Sequence, residues 1–142
     1  MTQEDKELLL KDLCARLPYG VRISLEYENK HLEGTLDAVY PIEDDRVIID
    51  NLSEAIAYCN VRCGGFHIEE NNIKPYLFPL SSMTEEQKRE FDISMDMGYA
   101  AAYNAEINCA NRTIDFFNKN HFDYRGLIPM GLANDATGLN IY

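Results

Sequence analysis

The chain has 142 residues, of which 46% are hydrophobic and 26% are charged, so residues 1–142 have the length and composition of a single globular domain. The net charge of −11 opposes non-specific binding to nucleic acids and to anionic lipid surfaces, because these polyanions repel the chain. No stretch approaches ~18 consecutive apolar residues, and the acidic N-terminus lacks a secretory pattern, so we expect a cytoplasmic protein with no membrane span.

Residues 3–17 predict an amphipathic helix. Its leucines recur near the 3.6-residue period, and the acidic residues at its start suit the positive end of the helix dipole. Pro18 and Gly20 then end the helix. The leucine stripe must be covered, so we expect this helix to pack on the element that follows.

Residues 20–72 predict a small antiparallel β-barrel of about five strands, SH3-like or OB-like, which makes the fold class α+β. Apolar and polar residues alternate over residues 21–28 and 32–39, a pattern typical of half-buried strands. Gly34 in the second run predicts a bulge or a sharp bend. Shorter runs supply the other strands, at residues 46–50, 55–63 and 66–68.

After residue 72 the pattern changes from strands to a connector, helices and a tail. Two prolines in residues 73–83 bar a regular helix or a central strand, so we expect an extended connector that lies on the core. Thr84 opens a capping box for the helical residues 84–120, which we divide into two helices with a break near Gly98. The tail, residues 121–142, is too apolar for a free end and is expected to pack back onto the domain.

Cys59, Cys63 and His67 have the chemistry of zinc ligands, since zinc prefers thiolates and imidazoles. Along a strand, however, residues four apart lie ~13 Å from each other, and a fourth ligand would have to come from a distant part of the sequence. We therefore predict no metal and no other cofactor. In a cytoplasmic protein these cysteines are expected to be reduced thiols and not disulfides.

Two tyrosines are candidates for contacts with a partner. Tyr99 and Tyr103 lie in a stretch rich in methionine and alanine, and such a flexible, polarizable surface suits a protein partner. The same side chains also suit a hydrophobic core, and this alternative stays open.

Four further candidates follow in the tail. His121 and Asp123 have the chemistry of an oriented general base, but no recognisable nucleophile motif accompanies them, so we predict no catalytic residues and no enzyme. Tyr124 and Arg125 have the chemistry to hold a phosphate or a carboxylate. The alternative is structural: Arg125 pairs with Asp123 and anchors the tail.

The tail carries a resemblance. Residues 117–128, FNKNHFDYRGLI, together with Gly131-Leu132-Ala133, resemble a C-terminal signature of small uncharacterised proteins that phages and mobile elements of anaerobic gut bacteria carry. LKDLCARLPYGV at residues 10–21 and IKPYLFPLSSMTEE at residues 73–86 are similar to the same group. Residues 92–112 match it least. The resemblance implies a mobile-element setting and no established activity.

The distribution of charge favours a protein partner. Residues 21–80 carry five basic and eleven acidic side chains, a net charge of −6. The main hypothesis is a non-enzymatic accessory protein of a phage or mobile element that binds a host or phage protein through an acidic surface. One alternative is an anti-defence protein that sequesters a small ligand such as a nucleotide signal. Another is a small hydrolase that uses His121 and Asp123.

Overall fold

The computed structural model describes residues 1–40, 45–53, 65–100 and 104–142. It has an N-terminal helix, an open six-stranded sheet that is mostly antiparallel, and two C-terminal helices. The predicted α+β class is confirmed. Within the described ranges, none of the helices has the length and apolar character needed to cross a membrane.

The elements are numbered in chain order. The helices and strands of the described residues are α1 (Gln3–Arg16), β1 (Arg22–Tyr27), β2 (Lys30–Tyr40), β3 (Arg46–Asp50), β4 (Phe66–His67), β5 (Lys74–Leu77), α2 (Glu85–Ala100), α3 (Ala105–Lys119) and β6 (Asn134–Asp135). Short 3-10 helices at Leu17–Tyr19 and Leu80–Ser82 join α1 to β1 and β5 to α2.

Helix α1 forms where the leucine period predicted it. Thr2 caps it: the Asp5 backbone N–H donates to the Thr2 hydroxyl, and the Thr2 N–H donates to the Asp5 carboxylate, at 3.1 and 3.0 Å. Leu9 and Leu13 are fully buried and pack with the apolar face of the sheet in one core cluster. The helix ends as predicted, because the chain turns at Gly20 with a left-handed φ of 65°.

The sheet has the strand order β4-β3-β2-β1-β5-β6. Its pairs are antiparallel except for β5 with β6, which is parallel. Gly34 is not itself the predicted bulge, because the register shift lies between Leu36 and Ala38. Gly34 is needed for close packing: a Cβ there would lie 2.3 Å from Cγ2 of Ile49 on the neighbouring strand.

The predicted SH3-like or OB-like barrel is not confirmed. The edge strands β4 and β6 are two residues long, and among the described residues no pairing joins them. A barrel needs tilted, staggered strands that meet at both edges. The predicted strand at residues 55–63 lies outside the described residues.

The connector differs from its prediction in two respects. Leu80–Ser82 form a 3-10 helix and are not extended, and Lys74–Leu77 form strand β5 between β1 and β6. Pro75 is tolerated there because its ladder with β1 has only two residue pairs, Ile23 with Pro75 and Ser24 with Lys74. A proline removes only its own N–H donor, so a ladder this short loses little.

The C-terminal helices form an antiparallel hairpin, α2 followed by α3, and the prediction of two helices is confirmed. The Thr84–Gln87 capping box is present, with backbone-to-side-chain bonds of 2.9 and 3.1 Å. The described helices end at Ala100 and begin again at Ala105, close to the predicted break near Gly98, and Gly98 itself lies inside α2. Gly98 instead allows the helices to approach each other, because a Cβ there would lie 2.8 Å from Sγ of Cys109.

The tail packs back onto the domain, as predicted. Phe122 stacks on Phe116 at the base of the hairpin, with ring centroids 6.3 Å apart. Leu127 and Leu132 join the same core cluster as α1 and the sheet. The tail therefore ties the hairpin, α1 and the sheet together.

Candidate functional site

Four of the six predicted site residues lie where the tail crosses the end of α1. We name this region the joint, and define it as Asp12 and Arg16 of α1 with the tail residues 121–125. His121 and Asp123 are buried, and Tyr124 and Arg125 are partly exposed.

An ion pair that the sequence analysis missed is at the centre of the joint. Nε of Arg16 lies 2.7 Å from Oδ2 of Asp12, and Nη2 donates both to Oδ1 of Asp12 and to the Phe122 carbonyl, at 3.1 and 2.8 Å. Both side chains are fully buried. The signal was present in the sequence: Arg16 follows Leu13 by three residues and Leu9 by seven, so it lies on the buried stripe of α1.

Arg125 completes this cluster. Its Nε lies 3.2 Å from Oδ1 of Asp12, so one carboxylate serves two guanidinium groups. The Tyr124 ring lies against both cations, with Cζ of Arg16 at 5.4 Å and Cζ of Arg125 at 4.8 Å from its centroid. Arg125 therefore anchors the tail through Asp12, and not through Asp123 as the structural alternative proposed.

Asp123 has a different role. Its two carboxylate oxygens accept backbone N–H bonds from Leu127 and Ile128, at 2.8 and 2.9 Å, and these bonds close the turn that follows. Both carboxylate oxygens are thus bonded to the backbone of the turn. These contacts do not orient the His121 ring, as a general-base pair would require.

His121 packs as an uncharged ring. It stacks on Tyr142, with centroids 3.9 Å apart and planes inclined by 12°. Burial, with a further contribution from the positive charge of Arg16, lowers the pKa of His121 from 6.5 to about 4. The hydroxyl of Tyr142 donates to the Tyr76 carbonyl and accepts from the Arg22 N–H, so this stack fixes the end of the chain to the sheet.

The other two predicted residues do not lie in the joint. Tyr99 is near the end of α2 and is 64% exposed. Tyr103 lies outside the described residues. The predicted site residues therefore do not form one site. Four of them lie in the joint, and Tyr99 lies on the surface of the hairpin.

The hairpin exposes large apolar side chains along both helices. Ile93 and Met97 of α2 are 61% and 57% exposed, and Ile107 and Ile114 of α3 are 59% and 43% exposed. Single exposed apolar side chains are normal on a protein surface, and it is contiguous groups of them that mark interaction sites. Met97 lies in the methionine-rich stretch that was expected to contact a partner, whereas the exposure of the three isoleucines was not predicted, because their spacing also fits a buried helix face.

The exposed residues form two surfaces of different charge. Ile93 and Met97 are one helical turn apart, and Glu86, Glu90 and Asp96 share their side of α2; we name these five residues the acidic face. Helix α2 as a whole carries five acidic and two basic side chains, and one of the basic residues, Arg89, also lies on this side.

We name Ile107, Ala110, Asn111 and Ile114 the uncharged face of α3. Their spacing of three, four and seven residues puts them on one side of the helix. At 100° per residue, Glu106 and Asp115 each lie about 40° from Ala110 or Asn111 and so border this face, whereas Arg112 and Lys119 lie further round the helix.

A polar network covers the outer side of β1, β2 and β5. The Tyr76 hydroxyl donates to Glu33 at 2.5 Å, and burial together with this bond raises the pKa of Tyr76 to about 12. Nδ1 of His31 lies 2.8 Å from the Glu26 carboxylate. Arg22 also reaches Glu33, at 4.0 Å. Since these groups pair with each other, the network is best explained as cross-strand pairing.

A small cleft lies beside the start of α2. It has a volume of about 270 Å³, with Phe78 and Phe122 among the residues that line it. Ligand pockets commonly occupy ~300–1,000 Å³, so this cleft is at the small end of the range.

Of the three candidate zinc ligands, which were predicted not to bind a metal, only His67 lies among the described residues. Cys59 and Cys63 lie outside the described residues, and His67 is in β4, paired with Arg46 of β3. Among the described residues, no group of three acidic, histidine or cysteine side chains could hold a metal ion.

A comparison with protein-family models, with curated proteins and with solved structures finds no significant match for this chain. The function must therefore be argued from its own surfaces.

Proposed function

We propose that the chain is a non-enzymatic protein-binding module whose acidic face binds a basic, amphipathic segment of a partner protein. The observation that carries this proposal is the exposure of Ile93 and Met97 between carboxylates on α2. Apolar side chains that are removed from water supply most of the affinity of such a contact, at roughly 25 cal/mol per Å².

The charges on α2 define the chemistry of the partner. Glu86, Glu90 and Asp96 would attract lysine and arginine side chains and would repel acidic segments. An amphipathic helix presents apolar anchors one turn apart, which is also the spacing of Ile93 and Met97. A basic amphipathic helix therefore complements the acidic face in both charge and shape.

The hypothesis of an acidic binding surface is kept, but the surface is placed on α2 and not on the sheet. The sequence analysis expected it within residues 21–80, but in the sheet Glu26 pairs with His31, and Glu33 pairs with Tyr76. Glu90 of the acidic face also pairs, with Nζ of Lys119 at 3.5 Å, but the carboxylates of this face flank exposed apolar side chains. The resemblance of the tail to phage and mobile-element proteins favours a cytoplasmic host protein as the partner.

The test uses two synthetic helical peptides of about 18 residues, one of leucine and lysine and one of leucine and glutamate, with dissociation constants measured by fluorescence anisotropy. We expect the lysine peptide to bind and the glutamate peptide not to bind. The variant Ile93→Ser/Met97→Ser should weaken binding at least tenfold, and Ile107→Ser/Ile114→Ser is the matched control on α3. Equal binding by wild type and the α2 variant would refute the proposal.

A second candidate, sequestration of a small anionic ligand, has one observation in its favour. Nη1 of Arg16 and the Tyr124 hydroxyl are buried in the joint without a hydrogen-bond partner among the described residues. Guanidinium and phenol groups bind phosphate oxygens. Inorganic phosphate and a set of nucleotides should then raise the melting temperature of wild type more than that of Arg125→Met, and no shift for any of them would exclude this candidate.

A further inference from the structure

We propose that strands β1 and β5 form a binding site for the hydroxyl end of a phenol ring, and that Tyr142 occupies this site in cis. The ladder between the two strands ends at the pair of Ile23 with Pro75. The next pair in register would be Arg22 with Tyr76, and it is not part of the ladder. The Tyr142 hydroxyl bridges these two residues instead, accepting from the Arg22 N–H at 3.1 Å and donating to the Tyr76 carbonyl at 2.7 Å.

The two backbone groups select an uncharged phenol. A phenol hydroxyl is both a donor and an acceptor, so one oxygen satisfies the Arg22 N–H and the Tyr76 carbonyl together. A phenylalanine ring would leave both groups without this partner, and a phenolate could not donate to the carbonyl. Tyr142 is 46% exposed as a residue, but its hydroxyl end is enclosed: burial raises the pKa of Tyr142 to about 12, so the hydroxyl keeps its proton well above neutral pH.

Two aromatic rings form the walls of the site. The His121 ring stacks on the Tyr142 ring, with centroids 3.9 Å apart and planes inclined by 12°. The Phe78 ring lies against the same ring, with centroids 5.8 Å apart and planes inclined by 52°. Walls of this kind hold a flat ring, and the two bonds at the hydroxyl fix its depth. We name Arg22, Tyr76, Phe78 and His121 the phenol site.

The segment that delivers Tyr142 is attached to the domain at few points. The Ala136 N–H donates to the Leu77 carbonyl at 2.8 Å, and residues 137–140, which follow, are exposed. Among the described residues, the hydrogen bonds that residues 137–142 make beyond their near neighbours in sequence are those of the Tyr142 hydroxyl. Tyr142 is therefore an intramolecular ligand at an effective concentration on the order of millimolar, which a free phenol can match.

Hydrogen exchange at the Arg22 amide, followed by NMR, reports on the phenol site at a single atom. In Tyr142→Ala this amide should exchange at least tenfold faster than in wild type, because it loses its acceptor. Adding p-cresol at about 3 mM should restore the protection, whereas toluene at the same concentration has the ring but no hydroxyl and should not. Failure of p-cresol to protect the amide would overturn the proposal, as would equal protection by toluene.

Two further variants separate recognition of the hydroxyl from a folding defect. Tyr142→Phe keeps a ring between Phe78 and His121 and loses only the hydroxyl, so the Arg22 amide should again exchange at least tenfold faster than in wild type. Exchange at the wild-type rate in this variant would contradict the proposal. Tyr99→Ala is the matched control: it removes a tyrosine that is 64% exposed on α2, and p-cresol should leave its Arg22 amide unchanged.

A second probe in Tyr142→Ala distinguishes the source of the ligand. N-acetyltyrosinamide carries the phenol together with the backbone of a tyrosine residue. Protection of the Arg22 amide by both probes assigns the site to tyrosine side chains, and protection by p-cresol alone assigns it to small phenols. In wild type the site is filled, so p-cresol should bind at least tenfold more weakly than to Tyr142→Ala; equal binding to both would show that Tyr142 does not occupy the site.

Discussion

Lowering the pH from about 7.5 to about 4.5 should destabilise the fold through the imidazole of His121. The ring is 7% exposed and stacks on Tyr142, with centroids 3.9 Å apart. Burial and the charge of Arg16 lower its pKa from 6.5 to about 4. In the unfolded chain the ring is hydrated, and its pKa returns to the ordinary value.

The direction of the effect follows from proton binding. Between these two pKa values the unfolded chain binds a proton that the folded chain does not, so protonation favours unfolding. The contribution of the neutral His121 ring is fully present above about pH 6.5 and is lost as the pH falls toward about 4. The difference between 6.5 and about 4, at ~1.36 kcal/mol for each step of one in pKa, gives roughly 3 kcal/mol as the upper limit, and screening of the ring by solvent reduces it.

Urea denaturation at a series of pH values measures this loss, with His121→Phe as the informative variant. Phenylalanine keeps an aromatic ring against Tyr142 and does not titrate. Residue 121 has a φ of 57°, so phenylalanine carries a constant strain of about 1 kcal/mol that does not change with pH. We expect a weaker pH dependence in this variant than in wild type. Parallel curves for wild type and His121→Phe would refute the reasoning.

Two further predictions concern packing. Asp12→Asn should lower the free energy of unfolding by about 3–5 kcal/mol, because it leaves the guanidinium groups of Arg16 and Arg125 without their carboxylate; a loss below about 1 kcal/mol in urea denaturation would contradict this. Gly98→Ala should destabilise, because the added methyl group lies 2.8 Å from Sγ of Cys109. In a Cys109→Ala background the loss should be smaller, because Sγ is gone but Cδ of Arg112 and Cα of Cys109 remain 3.3 and 3.4 Å from the added methyl group; an equal loss in both backgrounds would show that Sγ is not the obstacle.

The elements that local signals specify were predictable. The leucine period of α1 and the Thr84–Gln87 capping box lie within a few turns of chain, and both helices begin where these signals are. The closure of the sheet was not predictable in the same way, because it depends on whether the edge strands meet. Strand β6 has two residues and no alternating pattern, so nothing local marks it.

The candidate site was predictable by position and not by role. His121, Asp123, Tyr124 and Arg125 lie close together in sequence, and their polar character within an apolar tail identified them. Their roles depend on partners far away in the chain. Arg125 meets Asp12, 113 positions earlier, and His121 meets Tyr142 only because the tail turns back. The spacing of residues in the sequence does not predict contacts between positions this far apart.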